Sequence, residues 1–363
     1  MLGTRTARAP IRPDRHDLTM TTTPAPRTLA GTALLGAATW ASWRQLTRIH
    51  RLRTTIPPHL RTTQTLFPVP ITGLRTTRWL RSALDSPSEV VAGVTHEIHR
   101  VPRRDGLGAI EVHTYERSDR DRGSGVLLHL HGGGFVGGSA AAGHAANSRR
   151  ALDLGALVVA VDYRLAPENP FPAALHDCHD VVRWLHEHTE DLGFDPARVV
   201  VYGESAGGGL AACLTQLVHD EGEHPISHQV LSYPMLDDRT ALRRRTHHAV
   251  WTWSSNRFGW ASYLGGALGR GTPPPYAVAA RRERLDGLPA AWIGVGGCDL
   301  FHAEDVAYAE SLRAAGVECE LVVAPGLHHA GDAVAAFADT AEVRAFSVSR
   351  DHALRRALDV PDP

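Results

Sequence analysis

Six apolar runs of strand length constrain this chain most: VLLHLH (126–131), LVVAVD (157–162), RVVVYG (198–203), HQVLSY (228–233), AWIGVG (291–296) and CELVVA (319–324). They are continuous rather than alternating, which predicts strands covered on both faces. Amphipathic stretches of helix length separate them. Cys178, Val181, Val182 and Leu185 recur at i, i+3, i+4 and i+7, as do Leu210, Cys213, Leu214 and Leu217. A third helix is predicted over Ala303–Ala315, stopped by Gly316. Strand and helix in alternation imply an α/β fold, a mostly parallel sheet with helices on both faces.

The beat begins near residue 96 and is interrupted once, between Leu236 and Tyr276, by an aromatic-rich segment ending in Pro273-Pro274-Pro275. Such an insertion is either a lid over a pocket or a packing flap; the lid is preferred, because ligand sites in open parallel sheets lie at the carboxyl ends of strands. The domain reading is therefore a disordered tail (1–27), an N-terminal helical segment (28–95) and a catalytic domain (96–363) with an insertion at about 237–275.

With 363 residues, 43% of them hydrophobic, the chain can bury a large core. A net charge of -1 argues against a nucleic-acid partner. Every basic residue among the 38 is arginine, which reads as coding bias. Cys178, Cys213, Cys298 and Cys319 form no CxxC pair and are read as reduced thiols in a cytoplasmic protein. Residues 28–43 carry no charge, and ten arginines against two aspartates precede residue 62. A basic apolar helix within 28–61 could lie on an anionic membrane surface; a helix folded over the protein body is the preferred reading. Met20 offers an alternative start, and the oligomeric state is left open, a homodimer included.

The stretch VVVYGESAGGGL carries the chemistry. Gly203-Glu204-Ser205-Ala206-Gly207 fits G-x-S-x-G between a strand and a helix. The missing bulk lets the chain turn a strained corner that exposes the Ser205 hydroxyl. A hydroxyl needs a base, and the base needs a carboxylate to orient it. Asp299 follows the strand AWIGVG, and His329 follows the last strand, so both are expected at the same sheet edge as Ser205. His328 is the rival base, and His329 is preferred. Glu304, Asp305 and Asp332 are read as solvated helix-face residues. The run His131-Gly132-Gly133-Gly134 follows the strand VLLHLH, and the N–H groups of Gly133, Gly134 and Ala206 are candidate oxyanion donors. His131 is read as a loop-ordering residue. Phe135, Trp251, Trp253, Phe258 and Trp260 are candidate pocket residues. His176, Asp177, His179 and Asp180 have metal-like spacing but are read as a polar helix face, so no metal or other cofactor is expected.

In combination HGGG (131–134), YRLAPE (163–168), GESAGG (203–208), Asp299 and His329 resemble the bacterial hormone-sensitive lipase family, the family IV esterases of the α/β-hydrolase superfamily. The resemblance spans about residues 96–346. It implies a serine carboxylesterase acting through an acyl-enzyme on Ser205, with Asp299, His329 and the three oxyanion donors. It also implies a cap made of the N-terminal segment and the insertion, and small ester substrates with short to medium acyl or aryl groups. Two positions depart from the pattern: Glu204 stands where Asp is commoner, and Ala330 follows the base where Gly is usual. An amidase or deacetylase on the same triad, and a noncatalytic small-molecule binder on the same fold, are the alternatives.

Overall fold

The computed structural model describes Trp43, residues 45–243 and residues 247–361. The chain divides into two units, 1–47 and 48–363, and the second is described here. Expectations for the tail 1–27, for Met20 and for the apolar run up to residue 42 lie outside the described residues.

One eight-stranded sheet organises the second unit, in the order β1-β2-β4-β3-β5-β6-β7-β8. The strands are β1 (Val94–Pro102), β2 (Ala109–Arg117), β3 (Val126–Leu130), β4 (Leu157–Asp162), β5 (Val199–Glu204), β6 (His228–Ser232), β7 (Ala290–Gly296) and β8 (Cys319–Ala324). From β4 to β8 every pairing is parallel. The six apolar runs of the sequence are β3 to β8.

Alternation of side chains across the pleat divides the core in two. Val126, Leu128 and Leu130 of β3, with Val199 and Val201 of β5, join one buried cluster. It includes Leu175, Cys178, Val182 and Leu185 of α3 (Ala173–Glu187), Leu210 and Leu214 of α4 (Ala206–Glu221), and Tyr308 and Leu312 of α6 (His302–Ala314). Leu127, Val200, Tyr202, Val230 and Trp292 face the other way, toward Ala151 and Leu154 of α2 (His144–Leu154) and Phe346 and Leu354 of α7 (Ala341–Leu358). Each fully buried aliphatic side chain contributes about 1.5–3 kcal/mol.

Three features differ from the sequence reading. The first two strands were missed. They pair antiparallel with each other, and β2 pairs antiparallel onto β4; β1 is half solvated and rich in His, Glu and Arg, so it lacks an apolar run. The second difference is β8. It is one of the two edge strands, with Val323 exposed, and is covered less completely than its apolar run implied. The third lies on α3. His176 is exposed as expected, but Asp177, His179 and Asp180 are buried. Asp177 accepts from Arg103 Nε (2.9 Å) and from the backbone N–H of Arg164 (2.9 Å), and also pairs with the Arg164 guanidinium. Asp180 takes Arg104 Nε at 2.7 Å. These carboxylates are occupied by arginines that pin the β1–β2 turn and the loop after β4 to the helix.

Two segments lie over the carboxyl ends of the strands. Within 48–60, Leu52, Ile56 and Leu60 are buried with Leu327 and Phe337, so the apolar side of this stretch is committed to the body of the protein. Farther along, α1 (Leu74–Leu84) presents Arg81, whose Nε donates to Val136 O (2.8 Å) and whose Nη2 donates to Ala166 O (3.0 Å) and Glu168 Oε2 (2.7 Å). The insertion forms α5 (Trp253–Tyr263), started by Thr252, whose side chain accepts from Ser255 N. The N–H of Ile71 donates to Ser255 Oγ (2.9 Å), which ties the N-terminal segment to the insertion. Among the described residues no helix is long and apolar enough to cross a membrane.

Asp177 is fully buried beneath two arginines, so Asp177→Ala removes the carboxylate of Arg103 and leaves Arg164 with Asp105 alone. Urea denaturation should show a loss of about 3 kcal/mol or more, with ester hydrolysis retained below the transition. A loss under about 0.5 kcal/mol would mean that the pairing is incidental.

Candidate active site

Ser205 occupies the corner between β5 and α4 with φ 55° and ψ −118°. A non-glycine residue there stores about 1–3 kcal/mol of strain. The surroundings hold it in place. Its N–H donates to Ser232 O (2.9 Å), and its carbonyl accepts from Gly209 N (3.0 Å) and Met235 N (2.9 Å). A methyl group at Gly203 would lie 2.3 Å from Gly207 O, and one at Gly207 would lie 2.1 Å from Leu130 O. The small residues around the serine are therefore required by backbone packed against backbone.

The histidine and the carboxylate arrive from the ends of β8 and β7. Ser205 Oγ lies 2.9 Å from His329 Nε2, and His329 Nδ1 lies 2.9 Å from Asp299 Oδ2. Because an ionised carboxylate only accepts, Nδ1–H donates to Asp299 and Nε2 is left to accept the serine proton. The other Asp299 oxygen accepts from Phe301 N (2.9 Å), which fixes the carboxylate plane. All three side chains are buried. Tyr233 and Phe301 hold the imidazole edge-on, with ring centroids 5.0 and 5.1 Å away. Neither was found from the sequence, because each follows its strand with no motif of its own. His328 points elsewhere: its Nδ1 bonds to the His329 carbonyl (2.9 Å) and its ring meets Phe337.

Gly132, Gly133 and Gly134 bring the backbone beside this group. A Cβ on Gly132 would lie 3.4 Å from Ser205 Cβ. Gly133 has φ 124°, closed to other residues, and its carbonyl accepts from Val136 N and Gly137 N. Ala206 is the first residue of α4, where an amide has no intrahelical acceptor. His131 bonds to Gly132 O (2.8 Å) and stacks on Tyr163. Burial pushes it down to about 4, so it is a neutral spacer in the loop.

The aromatic candidates separate. Trp251 covers the glycine loop, and a Cβ on Gly134 would lie 2.1 Å from its ring. Phe135 stacks on Tyr263 (4.1 Å) and tilts against Trp260 (5.3 Å), with all three buried in the core. Phe258 is partly buried against that cluster, and Trp253 is half-buried with Arg257 near its face.

Ionised and neutral carboxyls flank the serine and histidine. Glu204 accepts from Arg150 (3.0 Å) and Tyr202 OH (2.5 Å) and lies 3.4 Å from His129 Nε2. Burial opposes its charge, but the His129 hydrogen bond and the Arg150 charge prevail and hold it well below the usual carboxylate range. The departure from Asp at this position thus has an occupant for its longer side chain. Glu304, Asp305 and Asp332, expected to be solvated, are not. Burial raises all three, and the neighbouring Glu304 and Asp299 charges push Asp305 up further. Asp332 pairs with Arg350 (2.9 Å). Glu304 Oε1 accepts from Leu236 N (2.8 Å) and Asp237 N (3.1 Å), which anchors the loop where the insertion begins. The sequence could not show that this turn of α6 points inward, because β7 and the 236–237 loop close over it.

A family model described as α/β-hydrolase fold matches residues 127–332. The carboxylesterase NlhH of Mycobacterium tuberculosis is 34% identical over 293 residues, covering 76% of this chain and 89% of that one. The ethyl acetate hydrolase of Pseudomonas putida is 35% identical over 208 residues, 56% of this chain and 65% of its own. Among solved structures, a bacterial heroin esterase superposes with a TM-score of 0.76 at 31% identity, covering 84% of this chain and 98% of that one.

Burial pushes the Glu304 carboxyl up to about 8 from an ordinary 4.5. Between these values the unfolded chain has lost this proton while the folded chain keeps it. Stability contributed here is complete below about 4.5 and falls as pH rises toward about 8. Thermal unfolding across that window should show the decline, and Glu304→Gln, which keeps the acceptor oxygen, should flatten it. An unchanged slope in the variant would assign the decline to other groups.

Proposed function

The chain belongs to the α/β-hydrolase family, among the carboxylesterases similar to bacterial hormone-sensitive lipase, and from that premise we propose that Ser205, His329 and Asp299 are its catalytic triad. The reaction class is carboxylic ester hydrolysis. The observation that carries the triad is the pair of 2.9 Å hydrogen bonds linking serine, imidazole and carboxylate at one sheet edge.

His329 Nε2 takes the hydroxyl proton as Ser205 Oγ attacks the ester carbonyl. The N–H groups of Gly133, Gly134 and Ala206 receive the developing oxyanion, and losing one such donor costs about 3 kcal/mol of barrier. The imidazolium, balanced by Asp299, returns the proton to the departing alcohol. Water then enters, His329 activates it, and the acyl group leaves Ser205 by the same steps in reverse. Edge contacts from Tyr233 and Phe301 limit rotation of the imidazole between the two half-reactions.

The substrates are small esters with short to medium acyl or aryl groups. Trp251 supports this reading, because its ring roofs the glycine loop and limits the space above the oxyanion donors. The N-terminal segment and α5 act together as the cap, supported by the Ile71–Ser255 hydrogen bond and by Leu80, which packs beside Gly137.

A p-nitrophenyl ester series from acetate to decanoate tests the proposal. Turnover should peak at short chains, and Ser205→Ala should abolish it; a Ser205→Ala protein that still turns over acetate would remove the nucleophile assignment. Asp299→Asn should lower kcat about 10^3–10^4-fold through the wrong imidazole tautomer. Trp251→Ala should move the preference toward longer acyl groups. A matched acetanilide decides whether the same triad also cleaves amides.

A further inference from the structure

The described residues hold a cluster of imidazoles that ester hydrolysis does not use. His96 on β1, His113 on β2 and His144 at the start of α2 bring one ring nitrogen each within 4.8 Å of one another. The register explains the meeting. His96 stands opposite Tyr115, and His113 lies two residues before Tyr115 and so on the same face. Across that face comes the first turn of α2, which carries His144. His96 Nε2 lies 3.0 Å from His113 Nδ1. Their rings are nearly parallel at 5.2 Å, and the His144 ring stands at 62–66° to both.

The partners around the cluster match those of ligating histidines, whose second nitrogen is held by an oxygen. His113 Nε2 lies 3.3 Å from Glu111 Oε1, and His144 Nδ1 lies 2.7 Å from the Tyr115 hydroxyl. His113 thus has its Nε2 on the carboxylate side and its Nδ1 facing His96. Two nitrogens about 2.0–2.1 Å from a tetrahedral ion lie about 3.3 Å apart. The 3.0 Å pair is already near that spacing, and the third nitrogen, within 4.8 Å of the others, would have to draw closer to complete it.

We infer that His96, His113 and His144 form a binding site for a divalent late first-row transition ion, best suited to Zn2+, that cross-links the β1–β2 hairpin to α2. Three imidazoles without a thiolate suit Zn2+, Cu2+ or Ni2+, and the hard ions Mg2+ and Ca2+ are excluded by the same donor set. The fourth position falls to water. The ion lies outside the Ser205 machinery, so its effect is on stability.

Full-length, tag-free protein, stripped with chelator and dialysed, is titrated with Zn2+ against a chromophoric competitor. One equivalent should bind with Kd of about 10 μM or tighter, and the melting temperature should rise with added Zn2+. Because the sequence has 22 histidines, site identity rests on variants. His96→Gln with His144→Gln should weaken binding at least about 10-fold while ester turnover stays at the level of the unsubstituted protein, which shows that the fold survives. Co2+ should give the intense visible bands of a tetrahedral site in the unsubstituted protein and lose them in the variant. Binding weaker than about 100 μM, or binding and Co2+ spectra unchanged by the double substitution, would overturn the site.

Discussion

A single strained corner governs the rest of this structure. Ser205 has a positive φ because β5 must stop and α4 must begin within one residue, and that geometry leaves no room for side chains at Gly203 or Gly207. The strain is held by backbone bonds from three directions: Ser232 of β6, Gly209 of α4 and Met235 beyond β6. Once the corner is fixed, the hydroxyl projects at the carboxyl end of the sheet. The imidazole and the carboxylate then need only emerge from neighbouring strand ends to reach it. Parallel pairing of β5 through β8 ensures that they do, because every strand in that series ends on the same side.

Charge is distributed unevenly around this group. Glu204, next to the serine, is kept ionised by Arg150 and by hydrogen bonds from His129 and Tyr202. Glu304 and Asp305, on the first turn of the helix after Asp299, are both raised above the usual carboxylate range, chiefly by burial. Asp299 is the carboxylate that meets the His329 ring, at 2.9 Å from Nδ1. Glu304 also carries the two amides that begin the insertion, so the proton that neutralises it is linked to the segment covering the site.

The N-terminal segment and the insertion, the proposed cap, are joined to the sheet through the glycine loop. Arg81 of α1 grips Val136 and Ala166, Leu80 packs on Gly137, and Trp251 and Gly259 of the insertion close on Gly134. The same short loop is thus the floor for two covering segments and the source of two proposed oxyanion donors. Any group bound above Ser205 would contact elements separated by more than a hundred residues of sequence. The far edge of the sheet is different in kind: β1 and β2 are polar, antiparallel and rich in histidine, and their connection to the body runs through α2, α3 and their arginine and imidazole partners.

Much of this was legible in the residues. Continuous, mostly apolar runs betrayed β3 to β8, since strands covered on both faces carry few polar side chains. G-x-S-x-G, Asp299 and His329 were legible because a tight corner and two strand ends leave local marks. What remained hidden depended on which residues meet across the fold. The half-solvated β1 and the mixed polar and apolar β2 had no continuous apolar run to show. Asp177, Asp180, Glu304 and Asp305 looked like a solvated helix face, since sequence spacing states which residues share a face but not whether arginines or a loop will close over it. Tyr233, Phe301 and the three clustered histidines come from separate elements, and only the tertiary packing brought them together. The sequence by itself determined the alternating sheet and the nucleophile corner, because both are written in short-range sterics and burial; the structure alone decided which polar groups are enclosed, because that depends on contacts between distant parts of the chain.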